Sequence, residues 1–202
     1  TGQRCTASSR VIVHEKIYDA FVERFVSEMD KLSVGPALDP KTQIGPVVSD
    51  TQLKSNLSYV EIARNEGCEV VSGQHLAERN TGYFQRPGAF LNANNKMRSS
   101  REEIFGPVAS IIKVDDFEEA VATANDTEFG LSSAICTRSL YYAREFKRLS
   151  EAGMAMVNLP TAGVDYHVPF GGRKNSSYGS REQGRAAIDF YTTTKTTYSF
   201  AG

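Results

Sequence analysis

The chain has 202 residues, 40% of them hydrophobic and 23% charged, which describes a folded protein able to bury one sizeable core and excludes disorder. Lys+Arg number 23 against 24 Asp+Glu, a formal charge of -1, so no basic surplus draws the molecule to nucleic acid or to an anionic membrane. No apolar run approaches the roughly 20 residues of a membrane-spanning helix, and three scattered cysteines fit neither a disulfide scaffold nor a zinc site.

Short β-branched runs alternate with longer helical patterns, the sequence form of an α/β fold with a mostly parallel open sheet and helices on both faces. Val11-Ile12-Val13, within Arg10 to His14, is β-branched throughout and reads as a buried strand. In the helix that follows, Tyr18, Phe21, Val22, Phe25, Met29 and Leu32 recur at three- and four-residue steps on one stripe, and Gly35-Pro36 ends it. Ser49 or Asp50 caps a second helix, with Leu53, Leu57 and Val60 inward and Gly67 as terminator. Glu69 to Val71 and Ala89 to Leu91 are short strands, and Val108 to Val114 is the strongest strand of the chain. Asp115 with Glu118 has the spacing of a capping box for a helix that turns Phe117, Ala120, Val121 and Ala124 inward. Ser132 to Cys136 is another strand, Ser139 caps another helix, Gly153 closes it, and Ala155 to Asn158 returns to the sheet.

Beyond Gly172 the composition turns polar. A short helix is expected from about Arg181 to Tyr191, and Thr192 to Tyr198 is β-branched with almost nothing apolar to bury. Such a strand presents unpaired backbone groups that a neighbouring subunit satisfies; a frayed tail is the alternative.

Two segments could carry chemistry. Cys5 lies in the polar segment Gly2 to Arg10, where nearby backbone N–H groups and Arg4 would favour the thiolate that attacks carbonyls; an inert, core-packed thiol is the other reading. Cys68 and Cys136 read as inert core cysteines. In the turn Glu102-Glu103-Ile104-Phe105-Gly106-Pro107, carboxylates could accept hydrogen bonds from sugar hydroxyls and an exposed ring could lie on a planar heterocycle; a solvated structural turn is the alternative. His14, His75 and His167 have no second ligand at a metal-like spacing, so no metal centre is expected. Phe170-Gly171-Gly172 lacks the third glycine and the following helix of a phosphate loop.

Taken together, Gly2-Gln3-Arg4-Cys5 with Arg10, Glu102 to Pro107, Asn125-Asp126-Thr127-Glu128-Phe129-Gly130-Leu131, and Pro169 to Gly172 with Arg181-Glu182 resemble the aldehyde dehydrogenase family, over essentially all 202 residues but only the carboxy-terminal part of the family's chain. The sequence, with neither an initiator Met nor a signal peptide, reads as beginning mid-protein. The resemblance implies that Cys5 is the nucleophile, forming a thiohemiacetal with the aldehyde and then a thioester, with the Cys5 N–H as half of the oxyanion hole. It makes Glu103 a holder of the nicotinamide ribose of NAD or NADP, Phe105 a ring near the nicotinamide, and Phe170 an aromatic at the substrate junction. The loop Pro160 to His167 corresponds to the aldehyde entrance, with Val164 and His167 as substrate contacts. The pattern is most similar to the bacterial 2-oxoglutarate semialdehyde (2,5-dioxopentanoate) dehydrogenase branch, which implies an acidic semialdehyde. The organisation expected is a catalytic domain over 1–175, a connecting helix over 176–191 and an oligomerisation strand over 192–202, in a cytoplasmic homo-oligomer.

Residues 1–202 hold no Glu-Leu-Gly-Gly motif for the family's general base and no glycine-rich helix start for the pyrophosphate, so this stretch alone is expected to be inactive. Glu182 reads as a member of a structural ion pair. Two other readings stay open: a non-catalytic self-associating module, and a cysteine hydrolase or acyltransferase using His14 or His167.

Overall fold

The computed structural model describes residues 1–76 and 82–202. Strand β1 (Arg10–His14) pairs in parallel with β4 (Val108–Val114), β4 in parallel with β3 (Gly88–Ala93), and β3 antiparallel with β2 (Glu69–Ser72), so the four strands run in the order β1-β4-β3-β2. Val11 stands opposite Ile111 and Ile12 opposite Ile112. The central strands are apolar on both faces because both faces are covered.

Side chains alternate across a strand, so consecutive residues feed different layers. On one face Val11, Val13, Ala89, Leu91 and Ile111 meet Tyr18, Phe21, Phe25 and Met29 of α1 (Glu15–Asp30). On the other, Ile12, Phe90, Ile112 and Val114 meet Val60 and Ala63 of α2 (Asp50–Asn65) and Ala120 of α4 (Phe117–Asn125), which follows the one-turn helix α3 (Arg98–Arg101). Phe90 and Ile111 are completely buried, each worth about 1.5–3 kcal/mol relative to an exposed side chain.

A second unit carries the carboxy-terminal half. β5 (Ser132–Ile135) and β6 (Met154–Val157) form a separate two-stranded parallel pair linked through α5 (Leu140–Leu149). The segment 125–131 ties this unit together. Asn125 accepts from Glu151 N at 3.0 Å and donates to Leu149 O at 2.9 Å, while Lys174 Nζ donates to Asn125 O at 2.5 Å and pairs with Glu151 at 2.6 Å. Gly153 lets its strand approach the Gly171 carbonyl so closely that a Cβ would lie 2.1 Å from that oxygen.

Ser49 caps α2, accepting from Gln52 N at 3.2 Å, and Gly67 follows that helix at φ +92. Several expected boundaries move. α1 stops at Asp30, well before Gly35-Pro36, because Val34 leaves to bridge Ile44. The capping box is one residue later than expected: Asp116 accepts from Glu119 N at 2.8 Å and the Glu119 carboxylate accepts from Asp115 N at 2.7 Å. α5 ends at Leu149 rather than at Gly153, and Cys136, just past β5, is exposed instead of core-packed. The last helix, α6 (Ala186–Tyr191), starts later than Arg181 because Glu182 is held in a bridge with Phe170. Residues 192–202 form no strand within the chain and are exposed.

Candidate active site

Cys5 is exposed, and its neighbours are pinned on every side. Ala7 N donates to Arg4 O at 2.9 Å, closing a turn that includes Cys5, and the next residue, Thr6, is buried. Upstream, Gly2 adopts φ +67 and touches Gly106; a Cβ at Gly2 would lie 1.8 Å from the Gly106 oxygen. Gln3 reaches the loop ahead of α2, donating from Nε2 to Pro46 O at 3.1 Å and accepting at Oε1 from Val48 N at 2.8 Å. Downstream, Ser8 Oγ and Thr161 Oγ1 lie 3.1 Å apart, Ser110 N donates to Ser9 O at 2.9 Å, and the half-buried Arg10 donates to Asn95 Oδ1 at 2.6 Å, Thr123 O at 2.8 Å and Ala124 O at 3.0 Å. Burial lowers the pKa of Arg10, with Arg101 nearby adding to the fall, yet its carbonyl acceptors at the end of α4 suit a cation.

The two carboxylates of the second segment separate into different roles. Glu102 accepts from Tyr59 Oη at 2.6 Å and from Arg98 Nε at 2.7 Å and Nη2 at 3.0 Å. The Arg98 hydrogen bonds, then the Tyr59 hydroxyl, pull its pKa down from an ordinary value near 4.5 to about 2. Glu103 is exposed, with no side-chain hydrogen bond or ion pair among the described residues. Phe105 is 38% exposed and held at φ +57, a conformation that costs a non-glycine residue about 1–2 kcal/mol. The turn is seated on α2: Gln52 Nε2 donates to Ile104 O at 2.9 Å, and the buried Asn56 amide lies directly under Gly106, where a Cβ would come within 2.5 Å of it. Asn56 is in turn within 2.8 Å of Gln52 and 3.0 Å of the buried Gln85.

Cys5 opens into a cleft of about 290 Å³ shared with Phe170, Leu131, Gly171, Ser176, Tyr178 and Glu182. Cys5 and Phe170 are thus brought together, whereas Val164 and His167 are not among the residues lining that cleft. Val164 is partly buried and His167 exposed on the loop that Thr161 anchors to Ser8. Glu182 makes no ion pair among the described residues; its backbone pairs with Phe170 at 2.6 and 2.8 Å, and it is Arg181 that is engaged, on Gly172 O. Cys5 has no histidine partner among the described residues, and His14 Nδ1 is occupied in accepting Lys16 N at 3.1 Å. The described residues hold no cluster of three or more His, Cys, Asp or Glu able to bind a metal, and no helix long and apolar enough to cross a membrane.

Tyr59, Arg98, Gln52 and Asn56 were not singled out by sequence, and Gln3 figured there only within its motif, with no role of its own. Only one of them left a signal: Arg98 stands four residues before Glu102, the spacing at which opposite charges on a helical turn meet.

The sequence model of the Aldehyde dehydrogenase family matches residues 1–197. The chain belongs to that family. An alpha-ketoglutarate semialdehyde dehydrogenase of Haloferax volcanii is 46% identical over 202 residues, and an alpha-ketoglutaric semialdehyde dehydrogenase of Bacillus subtilis is 42% identical over 201. Each alignment takes in 98% of this chain but only 42% and 41% of those proteins, so the chain spans about two fifths of the length of the curated relatives it matches. Among solved structures, the aldehyde dehydrogenase KauB of Pseudomonas aeruginosa superposes with a TM-score of 0.92 at 38% identity, covering 97% of this chain and 39% of that one. A betaine aldehyde dehydrogenase of Staphylococcus aureus in complex with NAD+ gives 0.89 at 29% identity, covering 94% and 38%.

Proposed function

We propose that this chain is the nucleophile-bearing part of an NAD(P)-dependent enzyme that oxidises an aldehyde to a carboxylic acid. The observation that carries the reading is the placement of Cys5: exposed, in a cleft with Phe170, on a segment whose neighbours are fixed from both sides. Cys5 Sγ, as thiolate, attacks the aldehyde carbon to form a thiohemiacetal. The Cys5 backbone N–H supplies one hydrogen bond to the oxygen on which charge develops. Phe170 lies beside the aldehyde carbon chain, and the 160–167 loop with Val164 and His167 shapes its entrance.

Glu103 and Phe105 fit a cofactor's nicotinamide end: a carboxylate uncommitted to any other partner and an outward-facing ring, presented by a turn that Glu102 and Asn56 hold rigid. Held there, NAD+ or NADP+ would supply the hydride acceptor for oxidising the Cys5 adduct to a thioester that water cleaves. Residues 1–202 contain no Glu-Leu-Gly-Gly motif, so a general base of that kind lies outside them and this stretch alone is inactive. The names of the two curated relatives support an acidic semialdehyde as substrate, and the exposed, Thr-rich residues 192–202 support self-association through a terminal strand.

The full-length protein, incubated with short acidic semialdehydes and NAD+ or NADP+, should form reduced nicotinamide, and Cys5→Ala should abolish it. Turnover that survives Cys5→Ala would reject the mechanism.

A further inference from the structure

Between Cys5 and the rest of the molecule, one side chain makes a two-point contact that nothing in the chemistry above uses. The Gln3 amide donates to Pro46 O at 3.1 Å and accepts from Val48 N at 2.8 Å, pairing with the backbone of a segment more than 40 residues away as a peptide group would. The loop it grips leads directly into Ser49 and α2, and α2 carries the seat of the Glu102 to Pro107 turn through Gln52 and Asn56. The residue before it, Gly2, touches that same turn at Gly106. Two adjacent residues therefore contact the support of the cofactor turn and the turn itself, and Cys5 follows two positions later.

From this closed circuit we infer that Gln3 is a positioning residue: its amide fixes the height and direction of the Cys5 thiol relative to Glu103 and Phe105, without touching the substrate. The inference rests on the reading of Cys5 as nucleophile. Both hydrogen-bonding ends of the amide are required. A hydrocarbon of the same length leaves Pro46 O and Val48 N without this partner, and a carboxylate can accept from Val48 N but faces Pro46 O with a like partial charge. Losing the clamp lets the 2–5 segment slide against the cleft, and errors of about 1 Å in the placement of a reacting atom cost far more in rate than in binding.

The test uses the full-length protein with Gln3→Met and Gln3→Glu. Three quantities are measured: kcat, KM for the cofactor, and the rate at which iodoacetamide alkylates Cys5, followed by peptide mass spectrometry with exposed Cys136 as an internal reference. Gln3→Met should lower kcat by about tenfold or more while the cofactor KM stays within about twofold, and should change the Cys5 alkylation rate but not that of Cys136. Gln3→Glu should behave likewise at neutral pH and recover toward the parent's rate as the pH is lowered, because a protonated carboxyl can again donate to Pro46 O. A kcat within about twofold of the parent in both variants overturns the inference. So does a change that Cys5 and Cys136 alkylation share in proportion, which marks general loosening. If Gln3→Met fails to fold, the ratio of Gln3→Glu to parent across pH decides: a flat ratio overturns the clamp. Cys5→Ala keeps the two claims apart, since turnover surviving that change removes the nucleophile reading itself, whereas loss of turnover with unaffected Gln3 variants removes only the clamp.

Discussion

Replacing Gly2 with alanine probes the contact between the segment carrying Cys5 and the turn from Glu102 to Pro107. A methyl carbon built on Gly2 stands 1.8 Å from Gly106 O and 2.6 Å from Gly106 C, and side-chain carbons essentially never approach other heavy atoms within 3.0 Å. The obstacle is backbone, not the movable end of a side chain, so the two segments must separate by about 1 Å or more. The φ of +67 adds about 1–2 kcal/mol of backbone strain for any residue with a Cβ. A displacement of that size three residues from Cys5 should lower kcat about 100-fold, equivalent to about 2.7 kcal/mol of transition-state stabilisation. The loss in thermal stability should exceed that backbone strain alone, because the displaced obstacle is backbone. Steady-state kinetics of the full-length Gly2→Ala protein, with its melting temperature, measure both. Gly45→Ala is the matched control: a Cβ there meets nothing within 4 Å and the backbone is not left-handed, so both quantities should stay at the parent's values. A Gly2→Ala protein that keeps kcat within about threefold would refute the idea that the Gly2–Gly106 contact sets the geometry of Cys5.

The carboxylate doublet should dissociate under mutation. Glu103→Gln in the full-length protein should raise the cofactor KM and leave the melting temperature unchanged, whereas Glu102→Gln should lower stability. Because the folded pKa of Glu102 is depressed to about 2, its contribution is fully present above pH 4.5 and fades as the pH falls toward 2. With the side chain 39% exposed, solvent screening reduces that contribution from about 3 to about 1 kcal/mol. Urea denaturation of both proteins at pH 7 and pH 3 should show a gap that narrows at the lower pH, and a gap that widens would contradict the Arg98–Tyr59 assignment. Deleting Thr192 to Gly202 should reduce the assembly size of the full-length protein in sedimentation velocity; an unchanged size would count against the terminal strand as a subunit joint.

Much of the architecture is legible in the order of residues because it depends on local periodicity. Val108 to Val114 is buried at five of its seven positions, as a strand covered on both faces requires, and Ser49 and Ser139 cap the helices they precede. The misplacements share a cause in degeneracy. Asp115 and Asp116 are each followed three positions later by a glutamate, so the capping-box pattern fits two frames and only the start of the helix at Phe117 selects one. The stripe of α1 runs on to Leu32, but bridging of Val34 to Ile44 decides where the chain leaves the helix, and that partner lies in a loop with no periodicity. Nothing local distinguishes a β6 that joins the four-stranded sheet from one that pairs with β5 alone, since strand pairing is a long-range choice.

The site divides along the same line. Cys5 and Glu103 stand out in the sequence through the motifs that resemble the family's, Gly2-Gln3-Arg4-Cys5 and Glu102 to Pro107. What those segments rest on is not legible there, since Gln3 grips a carbonyl and an N–H, Gln52 grips a carbonyl, and Arg10 grips two carbonyls of α4. A backbone acceptor is the same whatever residue bears it, so positions 46, 48, 104, 123 and 124 advertise nothing in composition. Glu102 is the instructive intermediate case. Its partner Arg98 is local and visible, but Tyr59 is 43 positions away, and Glu103 has no such contact among the described residues. The difference between the two carboxylates thus comes first from the local Arg98 and then from a tyrosine on another helix, a contact that the turn's own sequence does not contain.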